Sequence, residues 1–216
     1  MSYYDEICSR ERFATDTASH QMQVIRDDGV YRHLRFKKPD SSAYYFDLVT
    51  WPGYLAITGD MGGNLFSRVN DMFSFFRADF RRGDCTINPS YWHEKLVCQG
   101  ERDGATEFDE AAFRRVIGGY RIRWMRDMKM DGKSKEDRCE LWDAVENDVL
   151  AELDDGQPDA AMIAASRFEH GGYSFNDLFG YSFKNPTFHF IWRCRAIAWG
   201  IEQYDALKAE QEGGAA

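Results

Sequence analysis

The chain has 216 residues, with 27 basic and 36 acidic side chains for a formal charge of −9 at pH 7, and it is 44% hydrophobic and 15% aromatic. That is enough large apolar side chain to bury a core, and the Gly and Pro content is too low for a mainly disordered or fibrous chain. A mean hydropathy of −0.58 without a long apolar run excludes a membrane-spanning helix, and the opening MSYYDEICSRER has no hydrophobic stretch, so no secretory leader is expected.

In chain order, the first 70 residues read as a β-meander. Met22 to Arg26 and Val30 to Phe36 flank Asp27-Asp28-Gly29, a short Gly-containing hairpin turn. A third strand is expected at Tyr44 to Trp51, a fourth at Tyr54 to Thr58 after Pro52-Gly53, and a fifth at Asn64 to Arg68 after Gly59-Asp60-Met61-Gly62-Gly63. The period then changes. Asn70 or Asp71 can cap a short helix through Met72, Phe73, Phe76 and Phe80, ended by Gly83, and an irregular stretch from Asp84 to Gly104 follows.

From Glu107 onward the pattern is helical. One helix is expected from about Asp109 to Met130, weakened at Gly118-Gly119. Ser134 with Asp137 resembles a capping arrangement for the next, whose buried stripe would be Trp142, Val145, Val149 and Leu153. Asp155-Gly156-Gln157-Pro158 stops it, and a shorter helix spans Asp159 to Phe168. Asn185 as N-cap and Pro186 at the first helical position open a last helix, Thr187 to Lys208, apolar on nearly every side and followed by a frayed tail from Ala209 to Ala216. The expected fold class is α+β, a single domain over 1–216. An antiparallel meander of about five strands (about 20–70) would pack on a helical half (about 107–208).

Five widely spaced cysteines, Cys8, Cys85, Cys98, Cys139 and Cys194, form no CxxC pair, which argues against a disulfide framework or a zinc site and for a reducing cytoplasm. Charge is distributed unevenly. Residues 1–100 carry 12 basic and 13 acidic side chains, so residues 101–216 hold 15 and 23. The segment Glu136 to Asp159 has ten acids and one base, Arg138, so its net of −9 equals that of the whole chain. Just before it, Arg114, Arg115, Arg121, Arg123, Arg126 and Lys129 stand against Asp127 alone.

No catalytic motif is assembled. His189 and Cys194 are five apart on a helix and do not share a face. The histidines, at positions 20, 33, 93, 170 and 189, have no metal-ligand spacing, so neither a metal nor another cofactor is expected. Asp127-Met128-Lys129 has a D-x-K spacing without a partner acid, and Gly59 to Gly63 lacks the Lys-Ser/Thr of a phosphate loop. Three surfaces remain. Glu136, Glu140, Asp143 and Glu146 would line the polar side of an acidic helix, able to occupy the basic groove of a nucleic-acid enzyme. Tyr91, Trp92 and His93 cluster in the irregular stretch. With Trp51, Asp60 and Glu94 they would also be the first suspects for a pocket of an enzyme or small-ligand-binding protein. The basic residues Arg114, Arg115, Arg121, Arg123 and Arg126 offer direct nucleic-acid contact, or surface pairs that cancel the acidic segment.

The runs FDLVTWPGYLAITGDMGGNLFSRVNDMFSFFR (Phe46 to Arg77), INPSYWHEKL (Ile87 to Leu96) and FKNPTFHFIWRCRAIAWGIEQYD (Phe183 to Asp205) resemble a family of accessory proteins of tailed bacteriophages and prophages. The resemblance covers most of the chain and brings no catalytic residues with it. It implies a setting in the bacterial host cytoplasm, where accessory proteins of this size often inhibit host defence, as anti-CRISPR and anti-restriction proteins do. The expected function is therefore non-enzymatic binding of a host protein or nucleoprotein complex through acidic and aromatic surface.

Overall fold

Alternating side chains in the first third of the chain build an antiparallel sheet. In the computed structural model, which describes residues 3–80, 86–100 and 104–214, the strands are β1 (Gln21–Asp28), β2 (Tyr31–Lys37), β3 (Phe46–Trp51), β4 (Tyr54–Gly59) and β5 (Asn64–Ser67). A sixth, β6 (Leu96–Gln99), comes from the stretch expected to be irregular and pairs with β5, so the sheet order follows the chain from β1 to β6. The α+β class is as expected, with one more strand.

The chain divides into two compact units. The first is Met1–Glu107 with Pro186–Ala216, and the second is Phe108–Asn185. The boundary does not separate a sheet half from a helical half, because the last helix belongs with the sheet.

In the first unit, Leu34, Phe36, Phe46, Leu48, Leu55, Ile57 and Phe66 share one sheet face and are essentially fully buried. The helices of the first 20 residues, unassigned from sequence, are α1 (Tyr3–Ile7) and α2 (Arg10–Thr17), the latter capped by Ser9. Next come α3 (Met72–Arg77), capped by Asp71 through the N–H of Phe73, and α4 (Pro89–His93). Gly83, the expected end of the α3 helix, lies outside the described residues. Two short strands, β7 (Thr106–Phe108) and β10 (Lys184–Pro186), pair where the chain passes between the units.

The chain's longest helix, at Phe188–Gly213, starts later than expected. Asn185 and Pro186 lie in β10, and Thr187 is the cap, its hydroxyl accepting from the Phe190 N–H and donating to the Gly104 carbonyl. The helix continues to Gly213, through most of the tail expected to fray. Phe190 to Ala198 are all buried, and at Gly200 a Cβ would stand 2.7 Å from Leu48 and 3.2 Å from the Phe36 ring. Close approach of helix to sheet therefore requires a glycine there.

In the second unit, α5 (Glu110–Met130) is capped by Asp109 and runs through Gly118-Gly119 without a break. Next, α6 (Lys135–Val145) has the expected capping box between Ser134 and Asp137. One π-helical turn, Glu146–Leu150, leads into α7 (Ala151–Asp154), followed by α8 (Pro158–Arg167) and the hairpin β8 (Glu169–His170) and β9 (Tyr173–Ser174). The π turn shifts the buried stripe. Leu141, Val145, Val149, Leu150 and Leu153 are buried, whereas Trp142, expected on that stripe, is 41% exposed. The last helix of the chain is α9 (Phe188–Gly213).

Candidate functional site

The basic and acidic segments of the second unit engage only in part. Arg121 is buried; its guanidinium donates to Glu146 at 2.8 Å and to the Trp142 carbonyl at 2.9 Å, and lies 3.5 Å over the Trp142 ring. Arg114 bridges Glu110 and Asp154 at 2.7 and 2.6 Å. These two arginines are not free to bind nucleic acid as the sequence suggested. Arg115, Arg123 and Arg126 remain exposed. Glu146 likewise leaves the candidate partner-binding set, because it holds Arg121. Glu136, Glu140 and Asp143 are exposed and make no ion pair among the described residues, and their i, i+4, i+7 spacing puts them on one stripe opposite Leu141 and Val145. Of the segment's ten carboxylates, ten less Glu146 and Asp154 leaves eight without a cationic partner.

In the first unit, the Tyr91, Trp92 and His93 cluster is divided by the single turn of α4. Trp92 is fully buried, edge-on to Phe76, and its indole N–H donates to Asp79 at 2.6 Å. It anchors the core and does not offer a binding surface, which corrects the expectation for this residue. Tyr91 lies at the surface under the Lys95 ammonium, and His93 is exposed with its ring edge-on to Phe190. The four best-formed depressions of the surface are lined by other residues. Asp60, another suspect for that pocket, accepts from the Tyr44 N–H and so stabilises a residue held at φ +58°.

The cysteine–histidine pairs do not meet as catalytic dyads. Burial pushes the Cys194 thiol far above its ordinary value while His189 faces solvent, and Cys85 lies outside the described residues. No group of three or more His, Cys, Asp or Glu side chains is placed to hold a metal among the described residues.

A polar arrangement the sequence reading missed lies on the sheet face away from the core. Asp47 accepts both Nε and Nη2 of Arg35 at 2.8 Å and Nε2 of His33 at 2.9 Å. Burial works to raise the Asp47 carboxyl, but the hydrogen bonds from Arg35 and His33 outweigh it and hold the group below the ordinary range. A carboxylate only accepts, so His33 carries its proton on Nε2 and turns Nδ1 away from Asp47. The signal was available in β2, where Tyr31, His33, Arg35 and Lys37 alternate with Arg32, Leu34 and Phe36. No helix among the described residues is long and apolar enough to cross a membrane. No family model, no curated protein and no solved structure matches this chain.

Proposed function

We propose that this protein is a non-enzymatic binding protein that engages a basic macromolecular surface through the acidic stripe of α6. The observation that carries this reading is the solvent-facing row Glu136, Glu140 and Asp143, without cationic partners although a basic helix lies in the same unit. Carboxylates left exposed and unpaired give a steered, salt-sensitive encounter with a cationic groove. The finer reading is a phage accessory protein that blocks a host defence nuclease of the CRISPR or restriction type; it is supported by the likeness of the Phe46 to Arg77, Ile87 to Leu96 and Phe183 to Asp205 runs.

The test is phage plating on bacteria carrying such a system, with the protein expressed as it stands or with Glu136→Lys, Glu140→Lys and Asp143→Lys together. The intact protein is expected to restore plating and the triple variant to lose that effect. Equal protection by both would remove the acidic stripe from the account. Absence of protection against every system tried would remove the defence reading.

A further inference from the structure

The helices that cover the sheet lie on its Leu34, Phe36 and Leu48 side, and the opposite face is open. The strand registers place its side chains in rows. Asp28 pairs with Tyr31, and Trp51 with Tyr54, while Arg32 opposite Thr50 makes Tyr31 the cross-strand neighbour of Trp51. Three aromatic residues on adjacent strands therefore stand in one row, with Tyr31 43% and Tyr54 37% exposed. The next row holds Arg26, His33, Val49 and Ala56, and the one after it Gln23, Arg35, Asp47 and Thr58.

Tyr31 and Trp51 make no ring contact with each other, although cross-strand aromatic neighbours usually do. Between them is a depression of about 530 Å³ lined by Ile25, Arg26, His33 and Val49 as well as the two rings. Both aromatic walls are braced. Tyr54 stacks on Trp51 with centroids 5.3 Å apart, and the Arg26 guanidinium lies 4.9 Å from the Tyr31 ring centre. A slot between two supported rings suits a third planar ring, and the neutral His33 Nδ1 adds a hydrogen-bond acceptor at its edge.

The charge of this face differs from that of the chain as a whole. Its cations are Arg26, Arg35 and Lys37; its carboxylates are Asp28, bound to Arg26 at 3.1 Å, and Asp47, bound to Arg35 and His33. Both acids are thus neutralised in place, whereas each arginine keeps N–H donors beyond those it uses and Lys37 makes no ion pair among the described residues. In a protein of net charge −9 this is an aromatic and cationic strip.

We propose that the open sheet face across β1 to β4 binds single-stranded nucleic acid, with a base in the slot between Tyr31 and Trp51 and phosphates along Arg26, Arg35 and Lys37. An open face encloses too little of a small molecule to hold it, because small-ligand sites bury most of their ligand. A polymer sums several modest contacts, each base stacking on an aromatic ring and each phosphate meeting a cation. The surface is separate from the α6 acids, so the proposal stands or falls independently of them.

The test is fluorescence anisotropy of the full chain with labelled dT15 and U15 oligomers at low salt. Binding that weakens with salt is expected, and Tyr31→Ala or Trp51→Ala should reduce affinity about tenfold or more. Lys37→Glu should weaken binding and flatten its salt dependence. A duplex of the same length and thymidine monophosphate should each compete at least about tenfold less well. Failure of the folded protein to bind either oligomer would overturn the proposal, as would equal competition by the duplex or the mononucleotide. So would loss of binding on changing Arg115, Arg123 and Arg126 to Ala while the sheet variants bind normally. Should circular dichroism show that Trp51→Ala does not fold, Tyr31→Leu and Lys37→Glu, both at exposed positions, decide the matter.

Discussion

The two units use charge in opposite ways. In the first, cations are drawn into the fold: Arg193 is fully buried with a hydrogen bond to the Met61 carbonyl, Arg195 bonds the Cys8 carbonyl and Asp5, and Arg32 forms a two-bond pair with Asp71. In the second, only Arg121 is buried, and most of the acidic surplus faces water. Buried charges need fixed partners and so serve architecture, whereas exposed unpaired charges cost the fold little and remain available to a partner. The first unit's open sheet face is the exception that makes it a candidate surface, since its acids are already neutralised there.

The largest expected effect compares one aromatic residue from each unit. Phe36 is fully buried, stacked on Phe46 with centroids 4.7 Å apart and touching Trp199. Phe36→Ala should cost about 3–5 kcal/mol in urea unfolding followed by circular dichroism. Trp142→Ala, which removes an exposed ring and its Arg121 contact, should cost no more than about 1 kcal/mol. Equal losses would mean that Trp142 is a core residue of its unit and would break the contrast.

The second effect depends on pH. The Asp47 carboxyl is held below its unfolded value, so its stabilising contribution is complete above the unfolded pKa and is lost as pH falls through the folded one. Asp27 behaves alike, burial opposing and hydrogen bonds from Tyr204 and Lys208 prevailing. Asp71 does too, through Arg32. Asp47→Asn should cost about 1–3 kcal/mol at pH 7, since Arg35 and His33 lose an ionised partner, and the gap to the parent should close between about pH 5 and pH 2. Acid unfolding curves that keep a constant gap down to pH 2 would show that the carboxylate's charge is not what matters.

How much of this was legible in sequence follows the range of the interactions. Period-2 alternation and turn residues located five strands to within a residue or two, and the caps at Asp71, Asp109 and Ser134 were readable because capping is decided within four residues. What escaped depended on distant partners. The Leu96–Gln99 strand exists because β5 offers it an edge, and Asn185-Pro186 became a strand because β7 pairs with it, overriding a good local helix start. Trp142 left its expected stripe because one π turn changes the phase, which no count at 3.6 residues per turn contains. At the candidate surfaces, the acidic stripe could be read from spacing alone. The sheet face could not, since Tyr31, Trp51 and Tyr54 become neighbours only through pairing register.

A third, smaller effect sets helical glycines of the two units against each other. Gly200 in α9 has Leu48 and Phe36 where a Cβ would go, so Gly200→Ala should destabilise by about 1–3 kcal/mol through overpacking. Gly118 and Gly119 in α5 have nothing within 4 Å of that position. Gly119→Ala should therefore stabilise by about 0.5–1 kcal/mol, the ordinary gain in helix propensity. The opposite signs are the test, read as shifts in Tm. Destabilisation at Gly119 would point to a function for flexibility in α5 that packing does not show.

The smallest effect bears most directly on the α6 surface. Glu136 sits in the first turn of α6, where the helix dipole favours an anion, so Glu136→Lys should cost about 0.3–1 kcal/mol. Glu140 and Asp143 lie beyond that turn, are exposed and pair with nothing among the described residues, so their reversal to Lys should change stability by no more than about 0.5 kcal/mol each. The triple variant is then nearly as stable as the parent, which is what makes it a fair probe of binding. A loss well above about 2 kcal/mol in thermal unfolding would mean that the three carboxylates hold the helix in place, and an impaired triple variant would then report on folding instead of on a partner.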